Sequence, residues 1–279
     1  MKFEHKIFES MKRIVVIVIA LLSVIFAGTA QESVVYRVTY DCDALYSKNR
    51  DIYRWVLDIG TDKAVFYNSV MRAFLKEKEN VMKVSDMAEA MALVTKITST
   101  YSGRHDLQVL ADRQVNSYTY SNRIGTDTFI YEEPMPDVSW ELVDSSKLVC
   151  GYQCHKAVGR LYGREWTVWY APEIPLPFGP YVIGGLPGLV MEAVDSDGIF
   201  NFVAVGLEEA PAGTPVGILR SDKEIGCSRK KYLSMRASDD GKTFRETYRE
   251  KFGDIKVTDA KGNDITDSAK PKRNYLDLE

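Results

Sequence analysis

Residues Val34 to Asp41 (VVYRVTYD) alternate β-branched or aromatic side chains with polar ones. Ile52 to Ile59 repeats the pattern, with Tyr53, Trp55 and Leu57 set opposite Arg54, Val56 and Asp58. A period of two is that of a strand with one face buried. Gly60, Thr61 and Asp62 then turn the chain and Lys63 to Tyr67 continues as a third strand, so this part predicts an antiparallel meander. From Val70 to Thr100 the period lengthens. SDMAEAMALVTKI starts with Ser85 as a cap and spaces Met87, Met91, Leu93 and Val94 near the helical repeat, which predicts one or two helices inserted between strands. Strand character returns at Gln114 to Tyr120, Asp127 to Glu132 and Trp140 to Val143. Leu148 to Leu161 and Glu165 to Tyr170 then read as two strands joined through Gly163. Val190 to Val194 pairs with Ile199 to Val205 across Asp195, Ser196, Asp197 and Gly198, a hairpin signal. After a break at Pro211 to Pro215 come Ile218 to Arg220, a charged and partly helical stretch from Arg229 to Lys251, and a polar end, Asp254 to Glu279, expected to be loose. The pattern predicts a mainly β fold, a strongly curved antiparallel sheet or open β-barrel, with the helical segment covering one face.

Ahead of the meander, Lys12 and Arg13 precede an apolar run from Ile14 to Phe26, and the small residues Ala27, Gly28, Thr29 and Ala30 lead to Gln31. This charged, apolar, small order is that of a secretory signal peptide. A membrane span needs about 20 apolar residues, and the run approaches that only by counting its small tail. Cleavage near Ala30 is therefore expected, with residues 31–279 forming a single exported domain, 206–279 its peripheral C-terminal segment, and no transmembrane span in the mature chain. The expected location is the periplasm or the outside of the cell. No cysteine stands at the cut, so nothing supports a lipid anchor there.

Composition narrows the partners. The chain of 279 residues is 45% hydrophobic, enough for a sizeable core and unlike a disordered or coiled-coil protein. Its formal net charge is −3, and loss of the leader removes four basic and two acidic side chains, leaving −5. Such a chain carries no electrostatic footprint for nucleic acid. Export also gives the four cysteines, Cys42, Cys150, Cys154 and Cys227, the role of disulfide candidates. If Cys150 to Cys154 is extended, those two side chains are about 13 Å apart at roughly 3.3 Å per residue, and each needs Cys42 or Cys227. If Gly151 makes a tight turn, Cys150 pairs with Cys154 and Cys42 with Cys227.

The segment from Gly151 to Glu192 holds most of the candidate chemistry. In Leu186-Pro187-Gly188-Leu189, proline presets the second turn position and glycine supplies a positive angle at the third, predicting a type II turn whose leucines dock under the sheet. Gly184 and Gly185 allow close backbone approach. A buried corner accounts for this run more simply than a ligand or partner loop. Pro172, Pro175, Pro177 and Pro180 make an extended connector, able also to lie across the mouth of a barrel. Alternation places Lys156 on the face of Cys154 and Tyr152, where an internal lysine needs a carboxylate partner; the functional reading is an anion or catalytic site. Arg164 invites the same weighing, since its donor fork suits carboxylates inside the protein or on a ligand.

Other chemistry is weaker. Cys150, Cys154 and His155 include soft metal ligands, but alternation turns His155 away from the cysteines, and no metal or cofactor is expected. The same geometry disfavours a Cys-His nucleophile. Glu192 with Asp195 or Asp197 would make an acid and base pair, yet the aspartates are explained by the hairpin turn. Trp166 and Trp169, three apart on one strand, face opposite sides, so packing accounts for the tryptophans better than a stacking platform. Neither a glycine-rich phosphate loop nor a Gly-x-Ser-x-Gly elbow occurs.

The same segment, GYQCHKAVGRLYGREWTVWYAPEIPLPFGPYVIGGLPGLVME, resembles the GLPGLI family, exported proteins of Bacteroidota named for that hexapeptide. The resemblance rests on Gly151, Tyr152, Cys154, Lys156, Ala157, Gly163 and Arg164, then on Trp169, Tyr170 and Pro172 to Pro175, and finally on Gly179, Pro180 and Gly185 to Val190. Val190 stands where the hexapeptide has isoleucine, which keeps β-branching. Asn274 to Leu278 (NYLDL) is similar to an Asn-Pro-Ile-Glu-Leu ending common in the family, with Tyr275 in place of proline. Strong similarity covers about 40 of the 279 residues. It implies export, a β-rich fold and no established activity. The expected function is non-enzymatic: binding a hydrophobic or peptide-like ligand or an outer-membrane partner, with Lys156, Arg164, Trp169, Glu173, Gly185, Leu186, Pro187, Gly188 and Leu189 as candidate contacts. The alternatives are an envelope hydrolase, which needs Lys156, Arg164 and Glu192 to converge, and soft-metal delivery through Cys150 and Cys154.

Overall fold

Alternation carries the opening meander into place: β1 (Tyr36–Ala44), β2 (Asp51–Ile59) and β3 (Lys63–Asn68) pair in sequence, antiparallel and without a register shift between them. The computed structural model describes residues 32–101, 105–210, 213–219, 224–259, 262–270 and 273–277. The expected signal peptide lies outside the described residues, as do Arg220 and Leu278. The remaining strands are β4 (Gln108–Asp112), β5 (Ser117–Ile124), β6 (Asp127–Pro134), β7 (Glu141–Val149), β8 (Tyr152–Leu161), β9 (Arg164–Ala171), β10 (Leu189–Asp195), β11 (Phe200–Glu209) and β12 (Glu224–Gly226). All join one sheet, in the order β12-β6-β5-β4-β3-β2-β1-β11-β10-β9-β8-β7, antiparallel except where the short β12 runs parallel to β6. The fold is mainly β, and β7 and β12 remain as edges, so the sheet does not close into a barrel.

The sheet is nonetheless strongly curled. Tyr118 on β5 and Tyr162, beside β9, lie seven strand positions apart in that order. In a flat sheet the spacing would be about 34 Å, yet their hydroxyls meet at 2.7 Å. Side chains from β1 to β11 consequently share one apolar interior, with Trp55, Phe66, Tyr118, Trp166 and Phe202 among its largest members.

Several elements depart from the sequence expectation. The stretch Leu148 to Leu161 is not one strand: Cys150 (φ 50°) and Gly151 (φ 85°) form a two-residue hairpin turn between β7 and β8. Positive φ at both positions is the type I′ arrangement that matches the twist of paired strands. β4 is absent from the sequence expectation, because five residues, buried at Gln108, Val109 and Ala111, give no clear period. The helices are α1 (Met71–Val81) and α2 (Met87–Thr100), and the α2 cap is Asp86, which accepts from the Glu89 amide at 2.8 Å, not Ser85. No helix among the described residues is long and apolar enough to cross a membrane.

The connector from Pro172 to Gly188 turns into the curled sheet rather than over its mouth. Phe178, Tyr181, Val182, Ile183 and Leu186 are buried and join the main core. Its prolines set its shape. The amides of Leu176, Phe178 and Gly188 donate to the carbonyls of Ile174, Leu176 and Leu186 at 2.7, 2.8 and 2.8 Å, each bond spanning one proline. These are inverse γ-turns, which need the φ near −65° that proline fixes. The expected type II turn at Leu186 to Leu189 is therefore replaced by a γ-turn about Pro187, and Gly188 does not adopt a positive φ. Its lack of a side chain serves proximity instead, since a Cβ there would lie 2.3 Å from the Ala171 carbonyl oxygen.

On the outer face α1 covers β2 and β3, where Val56, Val65, Tyr67 and Met71 form a second small core. Asp58 is fully buried there. It accepts from Arg37 Nε at 2.7 Å, Tyr67 Oη at 2.7 Å and Arg72 Nη2 at 2.8 Å. Burial pushes the Asp58 carboxyl up, but these donors outweigh it and hold the group below the usual carboxylate range. A folded value below the unfolded one adds stability that is present at neutral pH and drains away as pH falls through and below about 3.9. Asp58→Asn should cost about 1.5–3 kcal/mol at neutral pH and flatten the acid limb of the stability curve. Urea titrations between neutral pH and pH 3 measure both effects, and an unchanged acid limb would count against this account.

Candidate functional site

A cavity of about 420 Å³ opens where the ends of β2 and β5 face α3 (Arg229–Asp240), α4 (Phe244–Phe252) and the segment 273–277. One wall comes from the meander. Inward alternation on β2 places Tyr53 and Trp55 side by side, and the connection after β1 adds Tyr46. Trp55 stacks on Phe66 at 4.8 Å with an 8° angle, while the His105 ring lies 4.2 Å from Tyr46 and 4.5 Å from Tyr53. The opposite wall is Tyr120 of β5, stacked on Tyr131 at 4.7 Å and met by Tyr232 of α3 at 5.2 Å. Burial raises the Tyr46 and Tyr120 hydroxyls well above their ordinary value and Tyr232 to about 12, so at neutral pH all three remain protonated and able to donate.

The roof is the part expected to be loose. Leu276 and Asp277 are buried. Asn274 donates through its backbone amide to the Tyr46 carbonyl at 2.7 Å and through Nδ2 to the Leu45 carbonyl at 2.5 Å. Tyr275 Oη donates to Asp240 at 2.5 Å, and Arg236 donates to Asp277 at 2.6 Å with its guanidinium 4.0 Å above the Tyr275 ring. A polar composition conceals this docking because the partners lie far away along the chain.

Arg164 links the resembling segment to that roof. It is 3% exposed; Nη1 donates to Asp195 Oδ2 at 2.7 Å, while Nη2 and Nε donate to the Tyr275 carbonyl at 2.7 and 3.1 Å. Asp195 in turn accepts from the Phe200 amide at 2.6 Å, which anchors the β10–β11 hairpin. Trp169 faces away from Arg164 on β9, in register with Lys156 on β8 and Glu192 on β10. Glu192 pairs at 2.7 Å with Lys147, a β7 residue that the sequence does not single out, and the Lys147 ammonium sits 4.4 Å from the centre of the Trp169 ring. Lys156 is half-buried and forms no ion pair among the described residues. The convergence that a hydrolase needs is absent, because Arg164 and the row of Lys156, Trp169 and Glu192 occupy opposite faces of the sheet.

Glu173 is exposed and accepts from the Gln153 amide at 3.2 Å. In the hexapeptide, Leu186, Gly188 and Leu189 are buried, whereas Gly185 and Pro187 reach the surface. None of these candidate contacts lines the cavity. All four cysteines are free thiols, so neither expected disulfide pattern is present. The Gly151 turn does form, but Cys150 sits exposed at its tip while Cys154 is buried within β8. Cys42 lies on central β1 and Cys227 beyond edge strand β12. Burial pushes the Cys154 thiol up to about 11 and Cys42 further, which leaves both poor nucleophiles. Among the described residues no three His, Cys, Asp or Glu side chains come together as a metal site.

The sequence expectation does not include the aromatic cavity, although a signal for it exists: Tyr53 and Trp55 alternate inward on one strand, and Tyr118 and Tyr120 do the same on another. No protein-family model and no curated protein matches the chain. Among solved structures it is similar to PNGF-II in two crystal forms, C2 and P21, each at a TM-score of 0.52 and 14% identity. The matches cover 76% and 82% of this chain but 34% and 37% of the PNGF-II chain, so this protein spans about a third of the length of the one it resembles, and the likeness is one of fold.

Proposed function

We propose that the protein is an exported cell-envelope protein of the GLPGLI type, and that it binds a hydrophobic or peptide-like ligand without transforming it. The observation that carries this reading is the 420 Å³ cavity walled by Tyr46, Tyr53, Trp55, Tyr120 and Tyr232. Its size falls within the roughly 300–1,000 Å³ of small-molecule sites, and its rings offer a stacking surface beneath a charged rim that includes Arg123, Arg236, Asp239 and Arg273. The charged, apolar, small order of residues 12 to 30 supports export to the periplasm or beyond. The segment from Gly151 to Glu192 supports the family. In this reading it is a structural signature, because its distinctive chemistry serves the Arg164 to Asp195 pair and the buried connector.

Native, non-reducing mass spectrometry of the protein purified from its own envelope fraction tests the proposal. The expected spectrum is a chain beginning at Gln31 with an adduct that is lost on unfolding. Because each disulfide removes a pair of hydrogens, the same mass reports whether the thiols pair after export. A chain retaining Lys12 and Arg13 would overturn the export reading. A bare mass, together with no uptake of naphthalene by the cavity, would overturn the binding reading.

A further inference from the structure

The helical hairpin on the outer face exposes three methionines where a surface helix usually turns charged or polar side chains to water. Met82, just after α1, is 72% exposed, and Met87 and Met91 on α2 are 74% and 65% exposed. The other described methionines are sheltered: Met71 and Met191 are buried, and Met135 and Met235 half-buried. Methionine is ordinarily a core residue, a flexible filler of apolar gaps, so three on one outer element call for a reason. Met87 and Met91 stand four apart, on one side of α2. Ala88, Ala92 and Val94 beside them are exposed as well, and from Met87 to Thr100 only Glu89 and Lys96 carry charge.

These side chains do not hold the hairpin together. α2 is fixed from its other half, where Ile97 is buried and Leu93 half-buried. Tyr101 Oη, at its C-terminal end, donates to Glu77 of α1 at 2.7 Å, and the Tyr101 ring meets Phe74 edge-on at 5.9 Å. At the other end the Asp86 carboxylate caps the helix. An oxygen added to any of the three exposed sulfurs therefore opens no packed contact. The same change at Met71 or Met191 would place a polar sulfoxide inside a core and disrupt it.

We infer that Met82, Met87 and Met91 form a sacrificial and reversible oxidation site, which consumes two-electron oxidants of the hypochlorous acid class before they reach the core. Each thioether gives two electrons to hypochlorous acid and takes up its oxygen, leaving a sulfoxide, chloride and a proton. A methionine sulfoxide reductase returns the thioether, with a dithiol as reductant and water as the other product. The site is separate from the aromatic cavity and stands whether or not that cavity binds a ligand. The rival target is Cys150, the exposed thiol at the tip of the β7–β8 turn.

Graded doses of hypochlorous acid on the full chain, with peptide mapping and a thermal melt at each dose, test this. At the first doses the three exposed methionines should carry at least about tenfold more sulfoxide than Met71 and Met191. The melting temperature should be unchanged, and reductase treatment should clear the added oxygens. The triple variant Met82→Leu/Met87→Leu/Met91→Leu keeps apolar volume. At the same doses its oxidation should move to the sheltered methionines, and its melting temperature should fall. If the triple variant does not fold, Met87→Leu and Met91→Leu taken singly allow the same comparison. Even oxidation of all the described methionines overturns the proposal, as does a fall in melting temperature with the first sulfoxides. So does a variant that withstands the oxidant as well as the parent. Oxidation of Cys150 that spares the three methionines also overturns it, because the thiol is then the trap.

Discussion

Arg164→Ala will lower the unfolding free energy by about 3–5 kcal/mol, the usual cost of breaking a buried ion pair from one side. Asp195 is 2% exposed and would be left with one backbone donor, from Phe200. The Tyr275 carbonyl would lose both of its guanidinium bonds in the same step. Urea denaturation gives the first quantity. Limited proteolysis between Lys270 and Asp277 reports the second, as faster cleavage under native conditions. Arg164→Lys keeps a charge but not the fork, so it should fall between the two. Removing both charges in Arg164→Met/Asp195→Leu should recover much of the stability without restoring protection of the roof. A loss below about 1 kcal/mol for Arg164→Ala would mean that the pair is solvated and does not join β9 and β10 to the roof.

Gly188→Ala will cost about 3 kcal/mol or more, at or beyond the upper end for overpacking. The added Cβ would meet the Ala171 carbonyl oxygen at 2.3 Å, its carbonyl carbon at 2.6 Å and Pro172 Cα at 2.9 Å. All are backbone atoms, so relief requires separating Leu189 from its β9 partner Ala171 or undoing the Pro187 turn. Gly185→Ala is the informative control. Gly185 has a positive φ of 79°, and a Cβ added to it would meet nothing within 4 Å, so only backbone strain of about 1 kcal/mol is expected. Asparagine distinguishes the turn types further. In a type II turn Gly188→Asn would be tolerated better than alanine, because asparagine accepts a positive φ. Against a close backbone neighbour it should be at least as damaging. Thermal melts of the three variants decide the matter, and equal effects of Gly185→Ala and Gly188→Ala would contradict the close-approach account.

What can be read from the sequence follows how local each determinant is. β1 to β3 are legible because Val38, Tyr40, Trp55 and Leu57 alternate with residues that are outward or under α1, and their partners are next along the chain. The hairpin of β10 and β11 is legible through Gly198. The turn at Cys150 is not, since cysteine in a left-handed conformation lacks the Asn-Gly signal of a type I′ turn. The cavity is illegible for another reason. Its rings come from β2, β5 and α3, and only the curling of the sheet brings Trp55 near the Tyr120 side. For the charged candidates, the sequence sets Glu192 beside Asp195 or Asp197 and names no partner for it on β7, but the strand register delivers Lys147 to it. No periodicity on β8 alone can reveal a partner on β7.

The docking of Asn274 onto Leu45 spans 229 residues. Closing so long a loop is entropically unfavourable and is offset only after both ends of the sheet exist, so the roof belongs to the last events of folding. What forms last and is held by few apolar contacts is also what opens most readily in the native state. Opening of the 273–277 segment about its two arginine clasps would then widen the mouth of the aromatic cavity while the twelve strands stay paired. If the cavity binds as proposed, ligand exchange would run at the rate of a local unfolding event, and hydrogen exchange at the Asn274 and Tyr275 amides would keep its clock.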